Sequence, residues 1–306
     1  MSNYHTRMHS SLLYTVLFAP RGKVRMVDMG RQIAQQYLNP FDGLIGIIGE
    51  AASGKSMLIK GMFPGLELSN DDEGVNVRPL PLLNQDDGGF YSPHTFHMDM
   101  RFETAFTQPH LLAEAVTQTL ANGKRVIVEH FDLLFPLLER NADLLIGIGE
   151  EIMIARPNIF GPEPEDIAKI VFPSIHYRRM AHTAEDLCEF VLPDQEWSKA
   201  SHGDVRRGFV RGFNEKPSFD PRELEALALE MIQKDVAVAY KDENHITIGE
   251  EAMYCTGPRM HVRSTGEIIN LRLLEDFPYD PMTGQYLLVG YIGRELKGHN
   301  RHLNWI

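Results

Sequence analysis

The residues with the clearest chemical signature are the eight that run from Gly49 to Ser56. They read Gly49-Glu50-Ala51-Ala52-Ser53-Gly54-Lys55-Ser56, which fits the spacing G-x-x-x-x-G-K-S/T in full. A glycine-rich turn of this kind points successive backbone N–H groups at phosphate oxygens, and its lysine reaches the β- and γ-phosphates. The Ser56 hydroxyl is then a ligand for Mg²⁺. The pattern predicts a site for a nucleoside triphosphate, ATP or GTP, with Mg²⁺.

Two carboxylates are candidates to complete this site, because Asp99 and Glu129 each end an apolar run. A phosphate loop needs a second carboxylate at the carboxyl edge of a neighbouring strand, either to hold Mg²⁺ or to act as base on an acceptor hydroxyl. Lys55, Asp99 and Glu129 are therefore the candidate catalytic residues, although either acid could be a solvated strand end. Three cations could act as lid arginines, and nothing in the sequence separates them from surface charge: Arg101, Arg140 and Arg156.

A second group of chemically active residues lies in the other half of the chain. His182 and Asp186 stand four residues apart, so on a helix they share one face. Cys255 and His261 flank a Gly-Pro turn. Imidazole, carboxylate and thiolate are ligands that tetrahedral Zn²⁺ accepts. The spacing is compatible with a metal site, and equally with a buried histidine and a cysteine that serves as a small apolar side chain.

Composition limits the classes of protein that are compatible with this sequence. The chain has 306 residues, 43% of them hydrophobic and 24% charged, which is ordinary globular composition and favours two domains. A formal net charge of −12 argues against a general nucleic-acid binder. No apolar run approaches the roughly 20 residues of a membrane span, and the first residues lack a signal-peptide layout. With only two cysteines, we expect a cytoplasmic protein that does not enter a membrane.

The first half alternates short apolar runs with helical patterns, which predicts an α/β domain with a mostly parallel sheet and helices on both faces. The predicted strands are Leu12–Phe18, Leu44–Ile48, Thr95–Met100, Arg125–Glu129 and Leu144–Ile148. The predicted helices are Val27–Leu38, Gly54–Met62 and His110–Ala121, the last stopped by Asn122-Gly123. The polar stretch Glu67–Ser92 is long enough to be a lid, a substrate loop or a disordered segment.

The proline-rich segment Arg156–Pro164 is the best candidate boundary, because its prolines cannot continue a helix or a central strand. It divides the chain into predicted domains 1–160 and 165–306. In the second, helical patterns come first and strand patterns afterwards, which is typical of an α+β domain. The predicted helices are Ser174–Val191 and Asp220–Lys234, and the predicted strands are Ile246–Ile248, Glu267–Leu274 and Gln285–Ile292.

The first half resembles P-loop kinases of the uridine-kinase type. The residues that carry the resemblance are Gly49–Ser56, Asp99 at the second predicted strand counted from the one before the loop, and the run Arg125–Glu129. Only the first of these is specific. It implies ATP, Mg²⁺ and phosphoryl transfer to a small hydroxyl-bearing acceptor.

The second half resembles the second additional domain of alanyl- and threonyl-tRNA synthetases, which is also found in free-standing alanyl-tRNA editing proteins. The family pattern is a helical H-x-x-x-H followed by C-x-x-x-H and V-x-x-T-G-E-I. Here it is matched over about Ser174–Leu274, most specifically by Thr265-Gly266-Glu267-Ile268. The resemblance implies zinc and the hydrolysis of aminoacyl esters on mischarged tRNA.

This chain departs from that pattern in two places. Asp186 stands where the family has its second helical histidine, and the spacing from Cys255 to His261 is two residues longer than in the family. Transferred position by position, the zinc ligands are His182, Asp186, Cys255 and His261, and His176 or Cys188 could replace His261. Candidate contacts to a tRNA acceptor end are Arg178, Arg179, Arg206, Arg207, Arg211, Arg259 and Arg263, with Tyr254 and Phe213 as stacking residues.

Three functional hypotheses are compatible with these motifs. In the first, the chain is an ATP-binding P-loop kinase or NTPase fused to an aminoacyl-tRNA-editing-like domain that recognises its substrate. In the second, it is a zinc-dependent hydrolase of aminoacyl esters, regulated by nucleotide. In the third, it is a non-catalytic binding module gated by nucleotide. The intact phosphate loop favours the first. The acidic charge counts against tight binding of tRNA and so against the second. The altered ligand set also counts against the second hypothesis.

Overall fold

The computed structural model describes residues 14–69, 80, 82–83, 94–193 and 197–293. These residues form two compact units. The first lies within Met1–Leu17 and Val24–Pro173, and the second within Phe18–Lys23 and Ser174–Ile306. The division after Pro173 falls beyond the predicted boundary at 156–164, inside a helix that contains Pro173. Most of the polar stretch Glu67–Ser92, predicted as a lid or substrate loop, lies outside the described residues.

The first unit is built on a mixed sheet. Its strands are β1 (Thr15–Phe18), β2 (Leu44–Gly49), β3 (Thr95–Asp99), β4 (Arg125–Glu129), β5 (Leu144–Ile148) and β6 (Glu151–Ala155). In the described residues they form a six-stranded sheet in the order β1-β6-β5-β2-β4-β3. β2 pairs in parallel with β4 and β5, and β3 pairs in parallel with β4. All six residues of β2 are buried, as expected for an apolar strand in the centre of a sheet covered on both faces.

The expectation of a mostly parallel sheet needs one correction. β6, which the sequence analysis missed, runs antiparallel to β5. Only Gly149 and Glu150 separate the two strands, and the Gly149 N–H donates to the Glu151 carbonyl at 2.9 Å. A connection this short makes a hairpin, because a parallel neighbour requires a crossover of about a dozen residues. The α/β class is confirmed, with a mixed sheet.

The helices of the first unit are α1 (Lys23–Tyr37), α2 (Lys55–Met62), α3 (Met100–Glu103), α4 (Pro109–Ala121) and α5 (Phe131–Leu134). α4 ends where predicted, with Asn122 as its C-cap and Gly123 at φ 72°. α1 approaches α2 closely through two glycines. A Cβ on Gly30 would lie 2.3 Å from the Leu58 carbonyl oxygen, and one on Gly61 would lie 2.1 Å from the Val27 carbonyl oxygen.

The second unit combines two antiparallel sheets with two helices. Its helices are α6 (Pro164–Val191), which begins before the division, and α7 (Pro221–Gln233). Its strands are β7 (Ser201–Val205), β8 (Gly208–Phe213), β9 (Val238–Asp242), β10 (His245–Ile248), β11 (Glu251–Tyr254), β12 (Arg272–Leu273), β13 (Tyr279–Asp280) and β14 (Gln285–Tyr291). Within the described part, one sheet has the order β11-β10-β9, and the other the order β12-β14-β8-β7 with β13 beside β14.

The predicted strand Glu267–Leu274 is wrong over most of its length. Thr265–Glu267 forms a short 3-10 turn, and only the two residues of β12 pair with β14. The Thr265 hydroxyl donates to the Met231 carbonyl and accepts the Val236 N–H, and these bonds hold this part of the backbone to α7 and the residues after it. Ile268 is buried without strand pairing, so its apolar character reflects the core and not a sheet.

Candidate functional sites

The Gly49–Ser56 segment forms a tight turn between β2 and α2. Ala52 and Gly54 both adopt left-handed backbone, at φ 61° and φ 96°, and the Ser53 N–H donates to the Glu50 carbonyl at 3.2 Å. At Gly49 a Cβ would lie 2.9 Å from the Ile148 carbonyl oxygen. Both glycines of the motif are therefore required by the backbone. Gly54, the N-cap of α2, makes no side-chain cap hydrogen bond, and the positive end of the helix dipole is directed at the turn.

Lys55 is buried within this turn, with 6% of its surface exposed. Its ammonium donates to the carbonyls of Gly49 and Glu50 at 3.2 and 3.0 Å, and lies 3.8 Å from Glu129 Oε2. Burial lowers the pKa of Lys55, while the charges of Glu129 and Asp99 oppose that shift. The lysine is thus a desolvated cation held at the mouth of the turn.

Glu129 connects the turn to the neighbouring strand. It ends β4, where it lies beside Ile47 of β2 in parallel register, and the Ser56 hydroxyl donates to its Oε1 at 3.0 Å. Burial would raise the pKa of Glu129, but hydrogen bonding to His97 and the charge of Lys55 outweigh burial and lower it. The carboxylate is therefore ionised beside the serine and the lysine that the motif predicts to contact phosphate and Mg²⁺.

Asp99 lies one strand further from the turn, beside Glu129 in the β3–β4 register. Its Oδ1 accepts the Phe102 N–H at 3.2 Å and so caps α3. Because its charge also acts on Lys55, Asp99 is electrostatically part of the site as well as a helix cap.

The three candidate lid arginines have different partners in the structure. Arg140 is held by Asp143 at 2.6 Å, and Arg156 by Asp42 at 2.7 Å. The charge of Arg101 contributes to lowering the pKa of Lys55. Arg101 is therefore the one of the three with an electrostatic connection to the turn.

Two histidines near the turn were missed by the sequence analysis. His97 lies on β3, 3.3 Å from Glu129 Oε1. His130 follows Glu129 with left-handed backbone at φ 57°, and burial together with the charge of Lys55 lowers its pKa to about 4. A histidine that directly follows a candidate metal ligand was visible in the sequence, but His97 could be found only from strand pairing.

In the second unit, His182, Asp186, Cys255 and His261 come together in one cluster. One donor atom from each lies within 4.8 Å of the other three. Cys255 Sγ is 3.2 Å from His182 Nε2 and 3.7 Å from His261 Nε2, and Asp186 Oδ2 is 2.8 and 4.0 Å from those same nitrogens of His261 and His182. Bonds of 2.0–2.3 Å to tetrahedral zinc imply ligand separations of roughly 3.3–3.7 Å, close to this range. These side chains could hold a metal ion.

The hydrogen bonds around the cluster fit a cation at its centre. The carbonyl of Pro258 lies 3.2 Å from His261 Nδ1, and since a carbonyl only accepts, Nδ1 carries the proton. A neutral His261 of this tautomer has its Nε2 lone pair directed at Asp186 Oδ2, 2.8 Å away, as a metal ligand requires, whereas a protonated ring would donate Nε2–H to that carboxylate instead. The Gly257 N–H donates to Cys255 Sγ at 3.3 Å.

The local backbone positions these four ligands. α6 places His182 and Asp186 one turn apart on the same face, and Cys255 directly follows β11. A Cβ on Gly257 would lie 2.3 Å from the Arg21 carbonyl oxygen and 3.2 Å from His182 Nε2. Glycine is therefore required in this turn.

Burial sets the protonation of two of the ligands. It lowers the pKa of His182 to about 3, so this imidazole is neutral and can act as a ligand. Burial and then the Asp186 charge raise the pKa of the Cys255 thiol. Binding of a metal at Cys255 would therefore release a proton.

A buried ionic network lies beside the cluster on α6. Glu185 is 1% exposed at its side chain and lies 3.0 Å from Arg21, 3.5 Å from Arg211 and 2.7 Å from His202. Burial would raise the pKa of Glu185, but the Arg21 charge and the His202 hydrogen bond lower it. The network ties the Phe18–Lys23 segment to the helix that carries His182 and Asp186.

Other sequence candidates lie elsewhere. His176 is exposed and Cys188 is fully buried, and neither belongs to the donor cluster. Arg178 and Arg211, proposed as contacts to tRNA, are each 3% exposed and donate to the carbonyls of Pro20 and Trp197; that prediction is wrong. Phe213 is a core residue at 8% exposure, whereas Tyr254 is 62% exposed.

No protein-family model matches this chain, and no curated protein matches it. Among the described residues, no helix combines the length and the apolar character needed to cross a bilayer. The conclusions on function therefore depend on the two clusters of side chains described above.

Proposed function

We propose that the first unit binds a nucleoside triphosphate, ATP or GTP, with Mg²⁺ at Gly49–Ser56, and transfers a phosphoryl group to a small hydroxyl-bearing acceptor. The observation that carries the proposal is the contact of Ser56 Oγ with Glu129 Oε1 at 3.0 Å, with the Lys55 ammonium 3.8 Å from the other carboxylate oxygen. A hydroxyl, an ionised carboxylate and a desolvated lysine at the start of a helix are the groups that this chemistry requires.

Each residue has a separate role in this proposal. The backbone N–H groups of the turn and the Lys55 ammonium bind the phosphates, and Lys55 exchanges its bonds to the carbonyls of Gly49 and Glu50 for phosphate oxygens. Ser56 and Glu129 would hold Mg²⁺. When bound, Mg²⁺ neutralises phosphate charge in the transition state.

Asp99 is the proposed general base for the acceptor. It ends the strand next to Glu129, so the two acids stand side by side at the carboxyl edge of the sheet, where α/β proteins bind ligands. Asp99 takes the proton of the acceptor hydroxyl as the hydroxyl oxygen attacks the γ-phosphorus; the bond from that phosphorus to the β–γ bridging oxygen breaks, and the nucleoside diphosphate leaves with the bonding electron pair. The Arg101 charge, which acts on Lys55, supports binding of the terminal phosphate.

Lysine substitutions test the binding step. Lys55→Ala should weaken binding of ATP and GTP in the presence of Mg²⁺ by at least about 100-fold, since it removes a buried cation from the phosphate site. Lys60→Ala, on the same helix, is the matched control and should bind as the wild type does. Isothermal titration calorimetry measures both. Equal binding by the wild type and Lys55→Ala would refute the site.

Asp99→Asn tests the transfer step separately. This variant should keep nucleotide affinity within a few-fold while transfer from γ-labelled nucleotide to hydroxyl acceptors is lost, because an amide cannot accept the proton. Nucleotide binding by the wild type with no transfer to any acceptor would instead favour the nucleotide-gated binding module.

A second candidate function is the zinc-dependent hydrolysis of an aminoacyl ester by the second unit. It is supported by the His182, Asp186, Cys255 and His261 donors within 4.8 Å of one another, and by the exposed ring of Tyr254 beside Cys255, which could stack on the terminal base of a tRNA acceptor end. Zinc, when bound, supplies an activated water. Because a catalytic zinc keeps one position for water, one of the four donors must yield it.

Release of the amino acid from a mischarged tRNA tests this candidate. The zinc-loaded chain should hydrolyse the ester, and Cys255→Ala should not. Cys188→Ala is the control, because that buried thiol is not among the four donors of the cluster. Equal rates with the wild type and Cys255→Ala would exclude the metal as the catalyst.

A further inference from the structure

His97 is a buried polar residue of the first unit to which the phosphate-loop motif assigns no role. It is 4% exposed and lies two residues before Asp99 on β3. Both of its ring nitrogens have partners. Nδ1 accepts the backbone N–H of Ser69 at 3.0 Å, and Nε2 lies 3.3 Å from Glu129 Oε1.

These two partners determine where the proton of the imidazole lies. Because a backbone N–H can only donate, Nδ1 must present its lone pair to Ser69. Nε2 therefore carries a hydrogen and donates it to the Glu129 carboxylate. A wrong tautomer would set two acceptors against each other in a buried place, which is costly.

We infer that His97 is a positioning residue for Mg²⁺ binding at Glu129, an inference that rests on the proposed nucleotide site. Glu129 Oε1 receives hydrogen bonds from His97 and from Ser56, while Oε2 is directed toward Lys55. These contacts fix the orientation of the carboxylate plane and stabilise its negative charge. Partners of this kind behind a metal ligand typically change metal affinity by about 10–100-fold.

Ser69 extends the arrangement to the second acid. Its hydroxyl accepts the Asp99 N–H at 3.2 Å, and its own N–H holds His97. Ser69 therefore supports both Glu129, through His97, and the backbone of Asp99. Ser69 lies in the segment after α2. It thus fixes the spacing between Glu129, the proposed Mg²⁺ ligand, and Asp99, the proposed general base.

Two substitutions at His97 separate positioning from packing. A glutamine amide reaches about as far as Nε2 and can still donate to Glu129, whereas an asparagine reaches only as far as Nδ1. His97→Asn can keep the bond from Ser69 but loses the donor to Glu129. The measurement is the ratio of the dissociation constants of ATP in EDTA and in Mg²⁺, determined by calorimetry on the full chain.

His97→Asn should lower this ratio by about 10-fold or more, with ATP affinity in EDTA unchanged, and His97→Gln should restore the wild-type ratio. Equal ratios in all three proteins would refute the positioning role while leaving the nucleotide site intact. A wild-type chain that binds no nucleotide would instead overturn the proposed function itself.

Ser69 variants test the same relay if His97→Asn does not fold. Ser69→Pro removes the N–H that fixes the His97 tautomer, and Ser69→Ala keeps it. Both variants lose the Ser69 hydroxyl, and only Ser69→Pro loses the N–H, so Ser69→Pro should lower the ratio of dissociation constants by more than Ser69→Ala does. The same ratio in both variants would contradict the inference.

Discussion

Removal of one cysteine should distinguish a metal centre from a buried polar cluster. The chain contains two cysteines, both buried, at 3% exposure for Cys255 and 0% for Cys188. Only Cys255 lies among the metal-compatible donors. Cys255→Ala and Cys188→Ala therefore each remove one buried sulfur atom. Only Cys255→Ala removes a predicted metal ligand.

The size of the effect follows from linkage between binding and folding. The donor separations run from 2.8 Å to no more than 4.8 Å and so bracket those of a tetrahedral zinc site, so binding requires only small shifts of these side chains. At free zinc of about 100 times the dissociation constant, binding stabilises the folded state by about 2.7 kcal/mol. With about 2–4 °C per kcal/mol for a domain of this size, zinc should raise the Tm of the second unit by about 5–10 °C.

The assay combines metal analysis with thermal unfolding. Wild type and Cys188→Ala should contain about one zinc per chain and lose the Tm increase on chelation. Cys255→Ala should contain almost none and show no response to chelator. A wild-type zinc content near zero, or full zinc content in Cys255→Ala, would refute the proposed coordination.

Three further predictions address stability and charge. Gly61→Ala should lower the free energy of unfolding by about 1–3 kcal/mol, because its Cβ would lie 2.1 Å from the Val27 carbonyl oxygen; denaturant unfolding measures this, and no change would contradict the α1–α2 contact. Glu185→Gln should cost about 3–5 kcal/mol in the same assay, since it leaves Arg21 buried without its anion; a loss below about 1 kcal/mol would argue against that pair. Arg101→Ala should weaken ATP binding several-fold in calorimetry, and unchanged affinity would remove Arg101 from the site.

Several elements could be predicted because their determinants are local. β4 and β5 have the predicted bounds, and Asp220 and Asn122 cap the helices expected beside them. The turn between an apolar strand and a helix was predicted from the glycine spacing, although Gly54, predicted as the first residue of that helix, is its left-handed N-cap. In these places, the backbone preferences of neighbouring residues agree with the tertiary structure, so sequence patterns are sufficient.

Other features depend on contacts that no local pattern carries. β6 pairs antiparallel with β5 because of a two-residue connection. We expected strands and helices to alternate along the chain, so β6 was not predicted. The sequence also does not show which charged side chains are buried. Arg211 was predicted to lie on a binding surface but is buried against Glu185, since a buried arginine is permitted only where a distant acid meets it.

The sequence by itself determined which chemical groups are available: a glycine-spaced turn that ends in Lys55 and Ser56, and a helix face that carries His182 and Asp186. Tertiary structure alone decided which groups meet. Glu129 reaches Ser56 from 73 residues away, and Cys255 reaches His182 across the same separation. Local sequence sets backbone shape within a few residues, whereas such meetings depend on strand order, register and burial, which arise only when the whole unit packs.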